Sequence, residues 1–217
     1  MPFKLKHINW KYIFGEILLL FVGINLAIWF NDWNASKSIQ KDKEVALVKI
    51  KEEIEANREE LVANSAENQK IPAFFAEMDS LQGNNDLLVT SVEVMQGFVG
   101  RYPQFFQEID SSRVEDGLYQ YEVGALVNLE ISDLSSIAWE IAKSTGIFHE
   151  FGYECLYELQ SLYNTQDLVK IELNNATTAL RNGSMKELVR VLNVMGQLED
   201  QLEGQYEEMI QSIDNCK

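Results

Sequence analysis

The fold is decided by residues 13–30, IFGEILLLFVGINLAIWF, in which Glu16 and Asn25 are the only strongly polar members. Eighteen helical residues span about 27 Å, close to the ~30 Å thickness of a bilayer's hydrocarbon core. Aromatic residues flank the run at both ends, as membrane–water interfaces favour: Trp10, Tyr12, Trp29 and Trp33. A buried core helix is the alternative, but it needs no aromatic belts. The sequence therefore predicts a transmembrane helix over residues 13–33.

Positive charge precedes the run and predicts how it inserts. Residues 1–15 contain three Lys and no acidic residue, although the whole chain has a net charge of −16. The large side chains that follow the run do not fit a signal-peptidase site, so we expect an uncleaved anchor. Lys11 adjoins the run, whereas the nearest Lys after it is Lys37. The positive-inside rule then places residues 1–12 in the cytoplasm and residues 34–217 on the other side.

The small and polar residues of this helix predict partners on two opposite faces. At 100° per residue, Gly23 and Ala27 fall within about 20° of Glu16, and Asn25 falls about 180° away. The Gly23–Ala27 pair has the small-xxx-small spacing that lets helices approach closely, and an unpartnered amide is costly in lipid. We therefore expect oligomerisation through the span. Alternatively, Glu16 stays neutral or reaches the headgroups and Asn25 is tolerated; a proton or ion site is a weaker interpretation of Glu16.

A long helix is expected to continue outward from the membrane. No Pro or Gly lies between Gly23 and Pro72, so the helix is predicted to run to about residue 68. Apolar and Asn residues recur there at alternating spacings of three and four: Leu47, Ile50, Ile54, Asn57, Leu61, Asn64, Asn68, Ile71, Phe75 and Met78. This seam fits a coiled coil whose Asn residues set the register. It fits equally well an amphipathic helix packed inside a monomeric bundle.

More helices with short connections are predicted beyond the long one. Residues 82–86 are typical of a turn, and Asp86 could cap a helix that carries an apolar stripe of Leu87, Leu88, Val92, Met95 and Phe98. Residues 110–132 have the least regular pattern, with Asp110–Ser112 and Glu115–Gly117 interpreted as loops.

The last third of the chain has a clear helical pattern. Asp133 is expected to cap a helix over residues 134–143, with an inward face of Leu134, Ile137, Ala138 and Ile141. Later helices are expected to end near Tyr163, Leu180 and Ile213, after a cap at Asn164-Thr165 and a turn at Asn182–Ser184. We therefore predict an all-α fold, in which one N-terminal transmembrane helix continues into a long helix followed by an extramembrane helical bundle.

The sequence offers little material for catalysis. Two His and two Cys are too few for a His/Cys metal cage, and His149 has no second His at helical spacing. No P-loop, nucleophile elbow or dinucleotide fingerprint occurs, and the acidity argues against nucleic acid as a partner. Cys155 and Cys216 could form a disulfide if the body is exported, although a buried free thiol at Cys155 fits equally well. We therefore predict no enzyme and no catalytic, cofactor or metal site.

Three short motifs around the apolar run resemble a known family. They are Gly15-Glu16-Ile17-Leu18-Leu19-Leu20, Gly23-Ile24-Asn25-Leu26-Ala27 and Asn31-Asp32-Trp33-Asn34. They are similar to the N-terminal signature of a family of uncharacterised single-pass membrane proteins of Bacteroidetes-type bacteria, and residues 134–163 more loosely resemble that family's second region. The resemblance implies a Gram-negative inner membrane, with residues 34–217 as an acidic periplasmic domain. It supplies no catalytic residue.

These patterns together predict a membrane-anchored structural or interaction subunit. It would oligomerise through the transmembrane helix and the adjoining long helix, with the lipid bilayer, further copies of itself and other envelope membrane proteins as partners. The alternative is an extracytoplasmic ligand-binding or sensing module that signals through a partner membrane protein. A pocket of ~300 Å³ or more with converging polar groups would favour that alternative.

Overall fold

The computed structural model describes residues 10–83 and 87–216. This part of the chain forms six α-helices and a small β-sheet. The helices are α1 (Trp10–Asn68), α2 (Lys70–Leu81), α3 (Val92–Arg101), α4 (Ile137–Thr145), α5 (Tyr153–Arg181) and α6 (Met185–Ser212), and the strands are β1 (Leu88–Thr90), β2 (Phe106–Glu115) and β3 (Leu118–Ala125). Most of the predicted cytoplasmic tail and the predicted cap Asp86 lie outside the described residues.

Helix α1 runs without a break for 59 residues, which confirms the long N-terminal helix and its expected end near residue 68. Nearly all side chains of its first half are exposed, whereas one stripe from Leu47 onward is buried. Gln69 separates α1 from α2. Pro72 lies in the first turn of α2 and has no N–H to donate to the Asn68 carbonyl, which explains the interruption.

Helices α5 and α6 form an antiparallel hairpin that packs against α1 mainly through α6. The predicted turn at Asn182–Ser184 is confirmed, and Gly183 has the positive φ of 67° that this turn requires. The predicted helix boundary at Asn164-Thr165 is wrong, because α5 passes through it. The Thr165 hydroxyl donates to the Ser161 carbonyl within the helix and is buried in the bundle, so packing outweighs its capping tendency.

The structure is mostly helical, as predicted, but it also contains a three-stranded antiparallel sheet with the order β1-β3-β2, so a strictly all-α fold is not confirmed. Asp110–Ser112 lies inside β2 and not in a loop, and the turn between β2 and β3 is at Asp116-Gly117. Residues Tyr119, Tyr121 and Val123 alternate with polar neighbours along β3, a period of two that outweighs helix propensity here.

The helix expected from Leu87 also begins later than predicted. Leu88 belongs to β1, where it pairs with Tyr121, and is buried. Ser91 caps α3 instead, because its hydroxyl accepts a hydrogen bond from the Val94 amide. Helix α3 then places Phe98 in the core, where its ring stacks on Phe74 at 5.3 Å between centroids.

Helix α4 begins at Ile137 with Ser136 in the cap position, so the predicted cap at Asp133 is wrong. Leu134 is buried, but it lies in an extended segment before the helix. Trp139 and Ala142 form the buried face of α4, whereas Ile137 and Ile141, predicted to face the core, are exposed. Helix α4 ends at Thr145, two residues after the predicted end at residue 143, and Gly146 caps it in a left-handed conformation with φ of 76°.

Candidate functional site

The N-terminal part of α1 is a single apolar helix with no covering from the rest of the described chain. It is long and apolar enough to cross a membrane, and none of its most apolar 18-residue window is buried. Large apolar side chains from Leu18 to Phe30 are exposed in every direction around the helix. Water does not solvate such a surface favourably, so the segment requires a lipid or protein environment.

The face that carries Glu16, Gly23 and Ala27 is open to a second helix. A Cβ atom built on Gly23 would meet no heavy atom within 4 Å. On the opposite face, the Asn25 side-chain amide donates to the Phe21 carbonyl at 2.7 Å. The N–H of Asn25 is therefore partly satisfied within its own helix, and its need for a neighbouring helix is smaller than the sequence suggested.

Aromatic side chains and a cation mark the C-terminal end of the apolar segment. Trp29 and Trp33 stack with ring centroids 6.2 Å apart, and Lys37 Nζ lies 3.9 Å from the centre of the Trp33 ring. At the N-terminal end, Trp10 and Tyr12 are exposed as well. Amphipathic aromatic rings followed by a Lys one turn later fit a membrane–water interface.

The seam of α1 is covered by helices of its own chain. Leu47, Ile50, Ile54, Asn57 and Leu61 are all buried, and α1 packs on α6 and α4. A coiled coil with another chain on this face would require the bundle to open. The seam therefore fits the second interpretation, an amphipathic helix inside a monomeric bundle.

Polar residues of the seam bind an extended segment, residues 126–136, which runs antiparallel to α1. Asn68 forms two hydrogen bonds of 2.9 Å with the backbone of Glu130, and Asn64 donates to the Ser132 hydroxyl. Farther along, Asn57 pairs with the backbone N–H and carbonyl of Ser135. The Asn residues thus replace the strand partner that this backbone segment lacks.

The spacing of these contacts follows from the two backbone geometries. Asn57 and Asn68 are eleven helical residues apart, which is about 16 Å at 1.5 Å per residue. Ser135 and Glu130 are five residues apart, and a fully extended backbone of that length also spans about 16 Å at 3.3 Å per residue. Three turns of helix therefore match five residues of extended chain.

Glu53 links this segment to α4 and α5. Its carboxylate accepts hydrogen bonds from the Ser135 hydroxyl at 2.7 Å and from the Ala138 amide at 2.8 Å. The Tyr163 hydroxyl also donates to Glu53 at 2.7 Å, and burial raises the pKa of Tyr163, which keeps it a donor. A carboxylate at the N-terminus of α4 is favoured by the helix dipole.

A groove of about 670 Å³ lies between α1 and α4 above the apolar segment. Its apolar wall is formed by residues from both helices: Val45, Ala46, Ile137, Ala138, Ile141 and Ala142. Lys49 and Glu52 on its rim form an ion pair at 2.6 Å. Sequence reasoning missed this groove because it assigned Ile137 and Ile141 to the core.

The two cysteines close the open end of the α5–α6 hairpin. Cys155 in the first turn of α5 and Cys216 after α6 form a disulfide with a Cα–Cα distance of 5.5 Å, and both are buried. The ion pair between Lys51 of α1 and Asp214 lies beside this end of the hairpin. The disulfide therefore ties the C-terminal end of the chain to the bundle.

Within residues 10–83 and 87–216, no cluster of three or more His, Cys, Asp or Glu side chains could hold a metal ion. The chain matches no family model, and comparisons with curated proteins and with solved structures gave no similar protein. The resemblance of the motifs between Gly15 and Asn34 to a Bacteroidetes family stays a prediction.

Proposed function

We propose that the protein is a membrane-anchored interaction subunit of a bacterial inner membrane, with its N-terminus in the cytoplasm and its helical body in the periplasm. The observation that carries this proposal is the rigid continuity of α1, whose exposed apolar half leads directly into the buried seam of the bundle. An anchor joined to the body by a flexible linker would leave the body free to reorient. A continuous helix instead holds the body at a fixed height above the bilayer.

The disulfide supports the periplasmic location of the body. Structural disulfides persist in the periplasm and are rare in the cytoplasm, where thiols are kept reduced. The Cys155–Cys216 bond therefore favours the same orientation as Lys11 does through the positive-inside rule.

The open face of Glu16, Gly23 and Ala27 supports assembly through the anchor. Small side chains let helices pack closely in lipid, and a second helix would cover the Glu16 carboxyl. Homo-oligomerisation through this face, and association with other envelope membrane proteins, is the role we propose. The long helix that follows the anchor supports the body, and its buried seam takes no part in this assembly.

Three measurements test the anchor and its orientation. Sodium carbonate should leave the full chain in the membrane fraction, and an alkaline phosphatase fused after residue 217 should be active. The protein denatured without reductant should resist a maleimide reagent, because both cysteines are bonded. Extraction by carbonate, or free thiols in the native protein, would refute the proposal.

A fourth measurement tests the assembly face. Gly23→Leu should lower the oligomer mass in native mass spectrometry from mild detergent, because the larger side chain blocks close approach. Gly15→Leu is the matched control, since its Cβ also meets nothing within 4 Å but lies about 100° from Glu16. Equal masses for wild type and Gly23→Leu would show that the face is not used.

A ligand-binding module is the second candidate, and the groove between α1 and α4 is the observation that favours it. The volume of about 670 Å³ is large enough for a small molecule. However, Lys49 and Glu52 already pair with each other, and the Glu53 carboxylate is bound to α4 and Tyr163. An open apolar groove with paired polar groups fits a protein surface better than a small polar ligand.

A further inference from the structure

Helix α4 is apolar on two faces, and the chain covers only one of them. Trp139 and Ala142 are buried, whereas Ile137 is 68% and Ile141 is 56% exposed. Val45 of α1, on the other side of the groove, is 53% exposed. A helix that is apolar on both faces normally packs on both, so the outer face of α4 lacks a partner in the described chain.

The groove lies on the same side of α1 as the small-residue face in the membrane. At 100° per residue from Glu16, Ala27 and Val45 both fall at about 20°, and Glu52 returns to about 0°. The buried seam residues Ile50 and Ile54 fall at about 160° and 200°, on the opposite side. A helix packed on Gly23 and Ala27 and extending outward would therefore lie on the same side of α1 as the groove.

Because both copies are anchored in the same bilayer, the bilayer determines which residues of a second copy lie level with the groove. Val45 lies about 22 Å beyond Phe30, the end of the apolar run. Two copies with the same orientation in one membrane are parallel, and their identical residues stand at identical heights because α1 has no flexible joint. The part of a second copy that faces this groove is therefore its own Val45 region.

We infer that the groove between α1 and α4 is the extramembrane half of a two-fold interface between copies of this chain. Val45 of each copy contacts the other copy near the symmetry axis, and Ile137 and Ile141 of each cover the partner's α1. The inference rests on the proposed function, because it requires the membrane anchor. The contact is isologous, as in most homodimers.

Cysteine crosslinking of the full chain in proteoliposomes tests the inference. The native cysteines are bonded to each other, so Val45→Cys supplies the free thiol. Copper-phenanthroline oxidation should give a dimer band with Val45→Cys and none with Ile171→Cys, a control on α5 that is 54% exposed. No dimer with Val45→Cys, or equal dimer with both variants, would overturn the inference.

A charge in the groove gives a second readout. Adding Ile141→Glu to Val45→Cys should reduce the crosslinked fraction at least about tenfold, because a carboxylate would be buried in an apolar contact. Adding Ile171→Glu should leave that fraction unchanged. Both residues are exposed, so the fold should survive, which thiol blocking and helical circular dichroism can verify. An unchanged fraction with Ile141→Glu would overturn the inference.

Crosslinking at Ala27→Cys distinguishes a failure of the groove contact from a failure of the proposed function. Crosslinking at Ala27→Cys but not at Val45→Cys would leave assembly in the membrane intact and refute the groove contact. Carbonate extraction of the chain would refute the anchor and, with it, the interface. Crosslinking at both positions, reduced at Val45→Cys by Ile141→Glu, is the result we expect.

Discussion

Asn57 pairs with the backbone of Ser135 through both ends of its side-chain amide. Its Nδ2 donates to the Ser135 carbonyl at 2.7 Å, and its Oδ1 accepts from the Ser135 N–H at 2.8 Å. Gln166 joins from α5, where its Oε1 accepts from Asn57 and from the Tyr206 hydroxyl. Asn57 and Gln166 together thus join α1, α5, α6 and the segment before α4.

Asn57→Ala should lower the free energy of unfolding by about 1–3 kcal/mol. The change leaves the N–H of Ser135 without its partner, whereas the Ser135 carbonyl keeps the hydrogen bond that the Gln166 side-chain amide donates at 3.0 Å. Urea unfolding of the full chain in detergent, followed by circular dichroism, measures the loss. The exposed Asn175→Ala is the control and should change stability by less than about 0.5 kcal/mol. Equal midpoints for the two variants would contradict the role of Asn57.

Glu53→Gln should destabilise the start of α4 by about 1–3 kcal/mol. A glutamine amide nitrogen would face donors that now point at the carboxylate, including the Ala138 amide and the Tyr163 hydroxyl. Trp139 stacks on Tyr163 at 5.5 Å, so its near-ultraviolet circular dichroism reports this site. Glu158→Gln, on an exposed part of α5, is the control. A native Trp139 signal and unchanged stability in Glu53→Gln would refute the capping role.

Removing the disulfide should cost up to about 4 kcal/mol. The bond joins residues 61 positions apart, and the chain-entropy model gives about that value for such a loop. The double variant Cys155→Ser with Cys216→Ser should unfold at a lower urea concentration than the oxidised wild type. Wild type treated with dithiothreitol should match the double variant. A midpoint that does not respond to reductant would contradict this prediction.

The stability of the bundle should depend on the ionisation of Glu199. This carboxyl is buried between α6 and α1, where the Ser65 hydroxyl donates to it at 2.7 Å. Burial raises the pKa of Glu199 above its ordinary value of 4.5, with the Asp200 carboxylate adding to the rise and the Ser65 hydrogen bond opposing it. The folded state therefore holds this proton more tightly than the unfolded chain does.

The sign of the pH effect follows from that difference. The contribution of Glu199 is fully present below pH 4.5 and is lost as the pH rises through the raised folded pKa. Glu199→Gln stays neutral, so its stability relative to wild type should increase between pH 4.5 and pH 8. Unfolding curves of both proteins across this range measure the change. Parallel pH profiles would show that Glu199 does not ionise with an altered pKa.

Local patterns were sufficient for the long helix and for several turns. The absence of Pro and Gly after Gly23 predicted the length of α1, and Asn182–Ser184 predicted the turn between α5 and α6. They failed for α4, whose outward face of Ile137 and Ile141 is as apolar as its buried face. Periodicity alone cannot choose between two apolar faces, whereas in the structure Asn57 binds the backbone before α4 and Glu53 binds the backbone of its first turn.

Local patterns also failed to predict the sheet, for a related reason. The pattern of β3 has a period of two, but only its pairing with β1 and β2 makes that pattern stable, and pairing is a long-range property. The groove could not be predicted at all, because it exists only where α1 and α4 pack side by side.

The sequence by itself determined the apolar N-terminal helix, its uninterrupted extension and the helical hairpin at the end of the chain. Each depends on residues within a few turns of one another, where helix propensity, hydrophobic spacing and turn residues act directly. The tertiary structure decided that the Asn residues of α1 bind an extended segment of the same chain, which face of α4 is buried and where the exposed groove lies. Those outcomes depend on buried hydrogen bonds between residues 60 to 110 positions apart, and no local pattern encodes such bonds.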